Sequence, residues 1–202
     1  MGNQGALFLE LEQKPPQLEP QGFRYQEDAI SEDEQGALVA AIEQLDLKPF
    51  EFRGYLGNRR VINFGFKYDF GKRSVETADD MPEFLKGLLS RVAGFAGRNE
   101  NDFRQVGINE YRVGAGIGWH KDKPEFGIIV GISLLGTATM RFRREQQGHW
   151  ARISQMVKPR SIYILSGEAR TEWEHSVPAV DSLRYAITFR TLADSFPVQR
   201  KK

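Results

Sequence analysis

Apolar positions recur with two different periods along this chain, and the change from one to the other divides it. From Ser31 the spacing is helical. Ser31-Glu32-Asp33-Glu34 is a capping box, in which a hydroxyl and a carboxylate three residues apart satisfy each other's backbone N–H groups. Leu38, Ile42 and Leu45 follow on one face, predicting an amphipathic helix that ends near Asp46. A second helix is predicted to open at Asp79-Asp80 with Pro82 near its first position. Phe84, Leu85, Leu88, Leu89, Val92 and Phe95 give it a broad apolar face, and Gly97 is its stop. After Val106 the runs become short and apolar or alternating, at 106–112, 127–135, 139–143, 150–157, 161–165 and 183–191, separated by Gly, Pro and polar turns.

Helices first and strands later predict an α+β fold, with the N-terminal helices bracing one sheet of a sandwich or barrel. A jelly roll is the common double-sheet solution for about eight strands. Residues 1–22, with Pro15, Pro16 and Pro20 among Gln and Glu, lack any period and read as an extended arm. Residues 55–72 mix aromatic and basic side chains: Tyr55, Arg59, Arg60, Phe64, Phe66, Lys67, Tyr68, Phe70 and Lys72. Such a mixture can stack bases and hold phosphates, or it can form a hairpin whose rings pack on the core while its cations stay wet.

Composition narrows the classes. A chain of 202 residues with 40% hydrophobic content is expected to form one domain over 1–202. A net charge of +1 means that affinity for nucleic acid must come from a local basic surface. The absence of cysteine excludes disulfides, thiolate zinc sites and a cysteine nucleophile. With no secretory pattern at Met1-Gly2-Asn3-Gln4 and no apolar run of membrane-spanning length, the expectation is a cytoplasmic monomer without a membrane partner. Ala6 stands where a myristoylation signal wants Ser or Thr.

The candidate chemistry lies in Asn109-Glu110-Tyr111-Arg112-Val113-Gly114-Ala115-Gly116-Ile117-Gly118-Trp119-His120-Lys121-Asp122. In a strand, residues i and i+2 share a face, so His120 and Asp122 can bind one ion. A third ligand would be another histidine, and the others are His149 and His175. Two histidines and a carboxylate leave coordination positions open for reactants, which suits an enzyme. Gly114-x-Gly116-x-Gly118 is not a dinucleotide loop, because no helix follows it; the glycines instead let the backbone bend near the site. In the last run Arg184, Ala186, Thr188 and Arg190 share one face, and two arginines turned inward there would each need an anion.

Taken in order, Asn109-x-Tyr111, His120-x-Asp122, the distal His175 after Ser166-Gly167-Glu168-Ala169-Arg170, and Arg184 with Arg190 resemble the AlkB family of Fe(II)/2-oxoglutarate dioxygenases. The likeness covers about 55–191. It implies a double-stranded β-helix, a distorted jelly roll, with its core at about 106–192 and a nucleotide-recognition lid at about 53–73. It also implies Fe(II) held by His120, Asp122 and His175, and 2-oxoglutarate held by Arg184 with help from Asn109 and Tyr111, Arg190 lying near its iron-chelating end. O2 would be the second cosubstrate. Ala186 departs from the Asn found in some members.

The activity implied is oxidative removal of alkyl groups from N-alkylated bases in DNA or RNA, as in repair of alkylation damage. A base must leave its stack to enter such a pocket. Phe64 or Tyr68 is expected to stack it, with Arg59 and Arg60 near phosphates and Asn63 in the same lid, while Trp119 and Glu125 flank the iron motif as substrate contacts. Arg141, Arg143 and Arg144 are candidates for a further phosphate surface. His149, in a turn, is expected to be exposed. Two alternatives stand beside this reading: the same iron chemistry on a modified tRNA nucleoside or a protein side chain, and a non-catalytic jelly-roll binding module.

Overall fold

The structure, a computed structural model, describes residues 20–52, 55–69, 74–77 and 79–194, without the side chains of 52, 55, 56, 67–69 and 74–77. Most of the expected N-terminal arm therefore lies outside the described residues. In chain order the elements are β1 (Phe23–Gln26), α1 (Glu32–Glu43), β2 (Lys48–Phe52), β3 (Tyr55–Asp69), β4 (Ser74–Thr77), α2 (Glu83–Lys86) and α3 (Leu89–Ala96). Then follow β5 (Phe103–Tyr111), β6 (Ile117–His120), β7 (Phe126–Leu135), β8 (Ala138–Gln146), β9 (His149–Val157), β10 (Ile162–Leu165), α4 (Gly167–Thr171), β11 (Glu174–Val177) and β12 (Arg184–Leu192).

The strands form two antiparallel sheets. The larger runs β1-β10-β7-β12-β5-β3-β2, with β4 on β3, and the smaller runs β6-β11-β8-β9. This is the double-stranded β-helix expected, with α1, α2 and α3 on one flank.

The alternation along β12 explains the layering. Tyr185, Ile187 and Phe189 turn outward into a core completed by Leu38 and Ile42 of α1, Leu85 of α2 and Val92 of α3. Each such apolar side chain removed from water contributes about 1.5–3 kcal/mol. The capping box of α1 is formed as predicted, the Ser31 hydroxyl accepting from the Glu34 N–H at 3.1 Å. Gln35 ties that helix to the sheet by accepting from the Leu135 N–H at 2.9 Å. The second predicted helix is broken into α2 and α3 at Gly87-Leu88, and Gly97 does end it, in the left-handed conformation at φ 63°.

Between the sheets, Phe142, Trp173, Tyr163 and Leu165 fill one end and Tyr111, Ala115, Val177 and Val180 the other. The space left between these two clusters carries the polar residues. Gly131 helps to open it: a Cβ there would stand 2.1 Å from the Tyr163 ring, so only glycine lets that ring cross β7.

Candidate active site

His120 ends β6 and His175 lies in β11, and the antiparallel register sets them directly opposite each other. Their ring centroids are 4.3 Å apart. Asp122 follows β6 by two residues, and its Oδ2 lies 3.4 Å from His175 Nε2. One ligand atom from each of the three falls within 4.8 Å of the others. His120 Nδ1 lies 2.9 Å from the Gly118 carbonyl oxygen, which can only accept, so this nitrogen carries the proton and Nε2 keeps its lone pair for a metal.

The protonation states fit a cation. Burial holds the His175 imidazole down at about 4, against an ordinary 6.5, so it is neutral at neutral pH. Burial alone would push the Asp122 carboxyl up, but its electrostatic interactions with His175, Arg190, His120 and Arg170 outweigh it and keep the group below its usual value. A neutral imidazole beside an ionised carboxylate is the state that binds a divalent ion.

Across the pocket stand the arginines of the larger sheet. Arg184 is 1% exposed; its Nε donates to the Ser133 hydroxyl at 3.0 Å, and its guanidinium lies 5.1 Å from the Tyr111 ring centroid. Arg190 donates from Nη1 to Gln105 Oε1 at 2.7 Å, while its buried Nε has no partner. Burial pulls the Arg190 guanidinium below its usual pKa, partly offset by Asp122. Among the described residues neither arginine has a carboxylate within ion-pair distance. A buried cation at Arg184, a half-buried one at Arg190 and the unfilled Arg190 Nε donor fit a small dianion placed between them, as 2-oxoglutarate is. Asn109 and Tyr111, at i and i+2 of β5, line the same pocket, together with Ala186 and Thr188 of β12.

The loop that carries Asp122 is pinned from behind. Arg170, in α4 and 7% exposed, donates through Nη2 to the carbonyls of Lys123 and Phe126, the latter at 2.7 Å. It thus orders the site rather than reaching into it. Gly116 lets the approach to β6 pass close to β11, since a Cβ there would stand 2.6 Å from the Val177 carbonyl oxygen.

Several expected substrate contacts are placed elsewhere. On β3 the residues paired with Tyr111, Asn109 and Gly107 are Arg59, Val61 and Asn63, while Arg60, Ile62 and Phe64 take the opposite face. Phe64 is 5% exposed in the core under the helices, so it cannot stack a base, and that expectation is corrected. Arg60 is corrected for the same reason: it pairs with the buried Glu110 at 3.2 Å and donates to the Leu47 carbonyl. Arg59 does reach the pocket, donating to Asn109 Oδ1 at 2.9 Å and lying 3.9 Å over the Phe50 ring. Asn63 accepts from Gln105 Nε2 at 2.8 Å and so supports the group that holds Arg190. Tyr68 belongs to β3, but its side chain lies outside the described residues.

Glu125 is 3% exposed, with Oε1 buried and unpartnered, and so is not a surface contact. Trp119 lies on the outer side of its sheet, with Arg143 4.5 Å from its ring centroid, and does not face the pocket. His149 is exposed at the start of β9, as expected. Tyr163, which sequence reasoning passed over, lines the pocket, and only the glycine opposite it, Gly131, could have signalled its placement.

Comparison with known proteins places these features in a context. The family model described as the 2OG-Fe(II) oxygenase superfamily matches residues 23–190. The alkylated DNA repair protein ALKBH8 homolog of Arabidopsis thaliana is 30% identical over 167 residues, covering 70% of this chain and 48% of that protein. The tRNA (carboxymethyluridine(34)-5-O)-methyltransferase ALKBH8 of Mus musculus is 26% identical over 165 residues, 78% of this chain and 24% of its own. The chain thus spans half or less of the length of these curated relatives. The solved structure of OsALKBH1 superposes with a TM-score of 0.61 at 18% identity, covering 86% of this chain and 98% of that one, and shares the fold.

Proposed function

This chain belongs to the AlkB family of 2OG-Fe(II) oxygenases, dioxygenases that use Fe(II), 2-oxoglutarate and O2, and from that premise we propose that it oxidises an alkyl carbon on a modified base of a nucleic acid. The observation that carries the reading is the pairing of His120, Asp122 and His175 with two pocket arginines, Arg184 buried and Arg190 half-buried, that lack carboxylate partners among the described residues. His120, Asp122 and His175 would hold Fe(II), and Arg184 and Arg190 would hold the carboxylates of 2-oxoglutarate. When bound, the metal and cosubstrate supply the oxidant, converting 2-oxoglutarate and O2 to succinate and CO2 with one oxygen atom delivered to the substrate carbon.

The chain's own residues do the positioning. Arg184 is fixed by the Ser133 hydroxyl and by the Tyr111 ring lying against it, so its remaining donors meet an incoming carboxylate without reorganising. Gln105, itself braced by Asn63, fixes Arg190 in the same way. Ile117, Ile129, Met140 and Val177 line the walls between these groups and exclude water from the reacting carbon. Arg59, at the end of the pocket held by Asn109, is the charged group placed to meet the substrate.

N-dealkylation of DNA or RNA is the leading substrate reading, since hydroxylation of an N-alkyl carbon releases an aldehyde and leaves the base bare. Oxidation of a modified tRNA nucleoside is the second, favoured by the tRNA named for the mouse relative. Nucleoside mass spectrometry separates them. The protein, with Fe(II), ascorbate and 2-oxoglutarate, would be incubated with oligonucleotides carrying N1-methyladenine or N3-methylcytosine and, separately, with bulk tRNA. Loss of a methyl group from the oligonucleotides supports dealkylation, and a gain of one oxygen on a tRNA nucleoside supports the second reading. No change in either, with succinate still formed, would remove nucleic acid from the proposal.

A further inference from the structure

The smaller sheet has two faces, and only the inner one is used by the site described above. On the outer face Arg143 is stacked between two indoles, its guanidinium 4.5 Å from the Trp119 ring centroid and 4.5 Å from that of Trp150. Arg141 lies 5.1 Å from the Trp119 ring centroid and donates from Nε to the Ser176 hydroxyl. The result is a row of flat aromatic and guanidinium surfaces running across β6, β8 and β9.

Two features of this row are poorly explained by stability alone. Arg143 and Arg152 are direct cross-strand partners in the β8–β9 ladder and therefore share a face, where like charges repel. Glu174 pairs with Arg143 at 2.5 Å, but among the described residues Arg152 has no acidic partner and is exposed. Trp150 leaves 42% of its surface in solvent on β9, a strand at the edge of its sheet. A large apolar ring on an open edge is a hazard that proteins usually remove or use. Glu145, opposite Trp150, is the other acid on this face.

We propose that this outer face is a second contact surface for single-stranded nucleic acid, with a base stacking on Trp150 and phosphates meeting Arg152 and Arg141. An indole face accepts any base, and a guanidinium without a carboxylate suits a phosphate oxygen. The choice of a single strand follows from the stacking, because paired bases do not present their faces. Trp119 and Glu174 adjoin His120 and His175 in the chain, so this surface is the reverse side of the strands that carry the histidines. It would lengthen the grip on flanking nucleotides without entering the pocket. The inference rests on the reading of a nucleic-acid substrate given above.

The test uses the full chain, fluorescein-labelled single-stranded RNA of about 15 nucleotides, and a modified trinucleotide that is too short to span both surfaces. Fluorescence anisotropy gives the affinity of the long RNA, with Trp150→Ala/Arg152→Gln compared to wild type. The variant is expected to bind about tenfold more weakly. The slope of log affinity against log salt should fall by about one. Its turnover of the trinucleotide and its 2-oxoglutarate consumption without nucleic acid should be unchanged, which also shows that it is folded. Equal affinity and equal slope for wild type and variant would overturn the surface while leaving the nucleic-acid reading intact. A wild-type protein that neither binds the RNA nor oxidises the trinucleotide would overturn both.

Discussion

Arg184 exposes 1% of its surface, donates once to Ser133, and among the described residues has no acidic neighbour. A cation in that position is unfavourable until an anion arrives, which makes its replacement informative in two directions. Arg184→Met keeps the bulk and removes the charge, so the protein without cosubstrate should be as stable as wild type or more so. With a divalent metal already present under anaerobic conditions, adding 2-oxoglutarate should raise the Tm of the wild-type protein further and leave that of the variant unmoved. Thermal unfolding of both proteins checks this, and an equal rise in the two would show that Arg184 does not bind the cosubstrate. The arginine was legible in the sequence because alternation along a strand assigns its face, and its lack of an acidic partner was not, because that depends on strands far away in the chain.

At the scale of elements, the same alternation explains what sequence reasoning misplaced. Arg59 and Phe64 lie in one strand, and their odd spacing sends one to the pocket and the other into the core beneath the helices. Grouping them as a lid, as the family resemblance implied, overlooked that period. Phe64→Ala should therefore destabilise the fold by about 3–5 kcal/mol. Measured by denaturant unfolding, that loss should come with an unchanged Michaelis constant for substrate in the folded fraction, whereas a base-stacking residue would show the reverse. From β5 to β12 the longer strands and the wholly apolar β10 were visible, but β6 and β11, of four residues each and not wholly apolar, were not. Glycines interrupt the first and a short helix crowds the second, so neither offers enough residues for a period to emerge. Yet these two carry the histidines, and their register sets the metal site. Motif order singled out His120, Asp122 and His175, which the fold brings together, where local pattern did not find the elements.

For the molecule as a whole, the two sheets divide the work. The larger holds the arginines and is backed by helices, and the smaller holds the histidines and presents a bare outer face. A rigid backing keeps the groups proposed to bind the cosubstrate in place, which agrees with the burial of every inward residue from Arg184 to Thr188. Among the described residues no helix is long and apolar enough to cross a membrane. The α+β class and the jelly roll were legible from the succession of periods, while the pairing of strands into two sheets came from contacts no local pattern records. The curated relatives extend well beyond the matched region, so this fold works in them as one part of a longer chain. If His120, Asp122 and His175 equip this fold as a dioxygenase, the protein forms succinate from 2-oxoglutarate only with all three in place. Wild type and Asp122→Ala would be compared with Fe(II) and O2 at matched protein concentration. The wild-type protein should form succinate and the variant should fall by about a hundredfold or more, beyond the roughly 10–100-fold that loss of a mere outer partner of a metal ligand costs. Equal succinate from the two proteins would contradict the account.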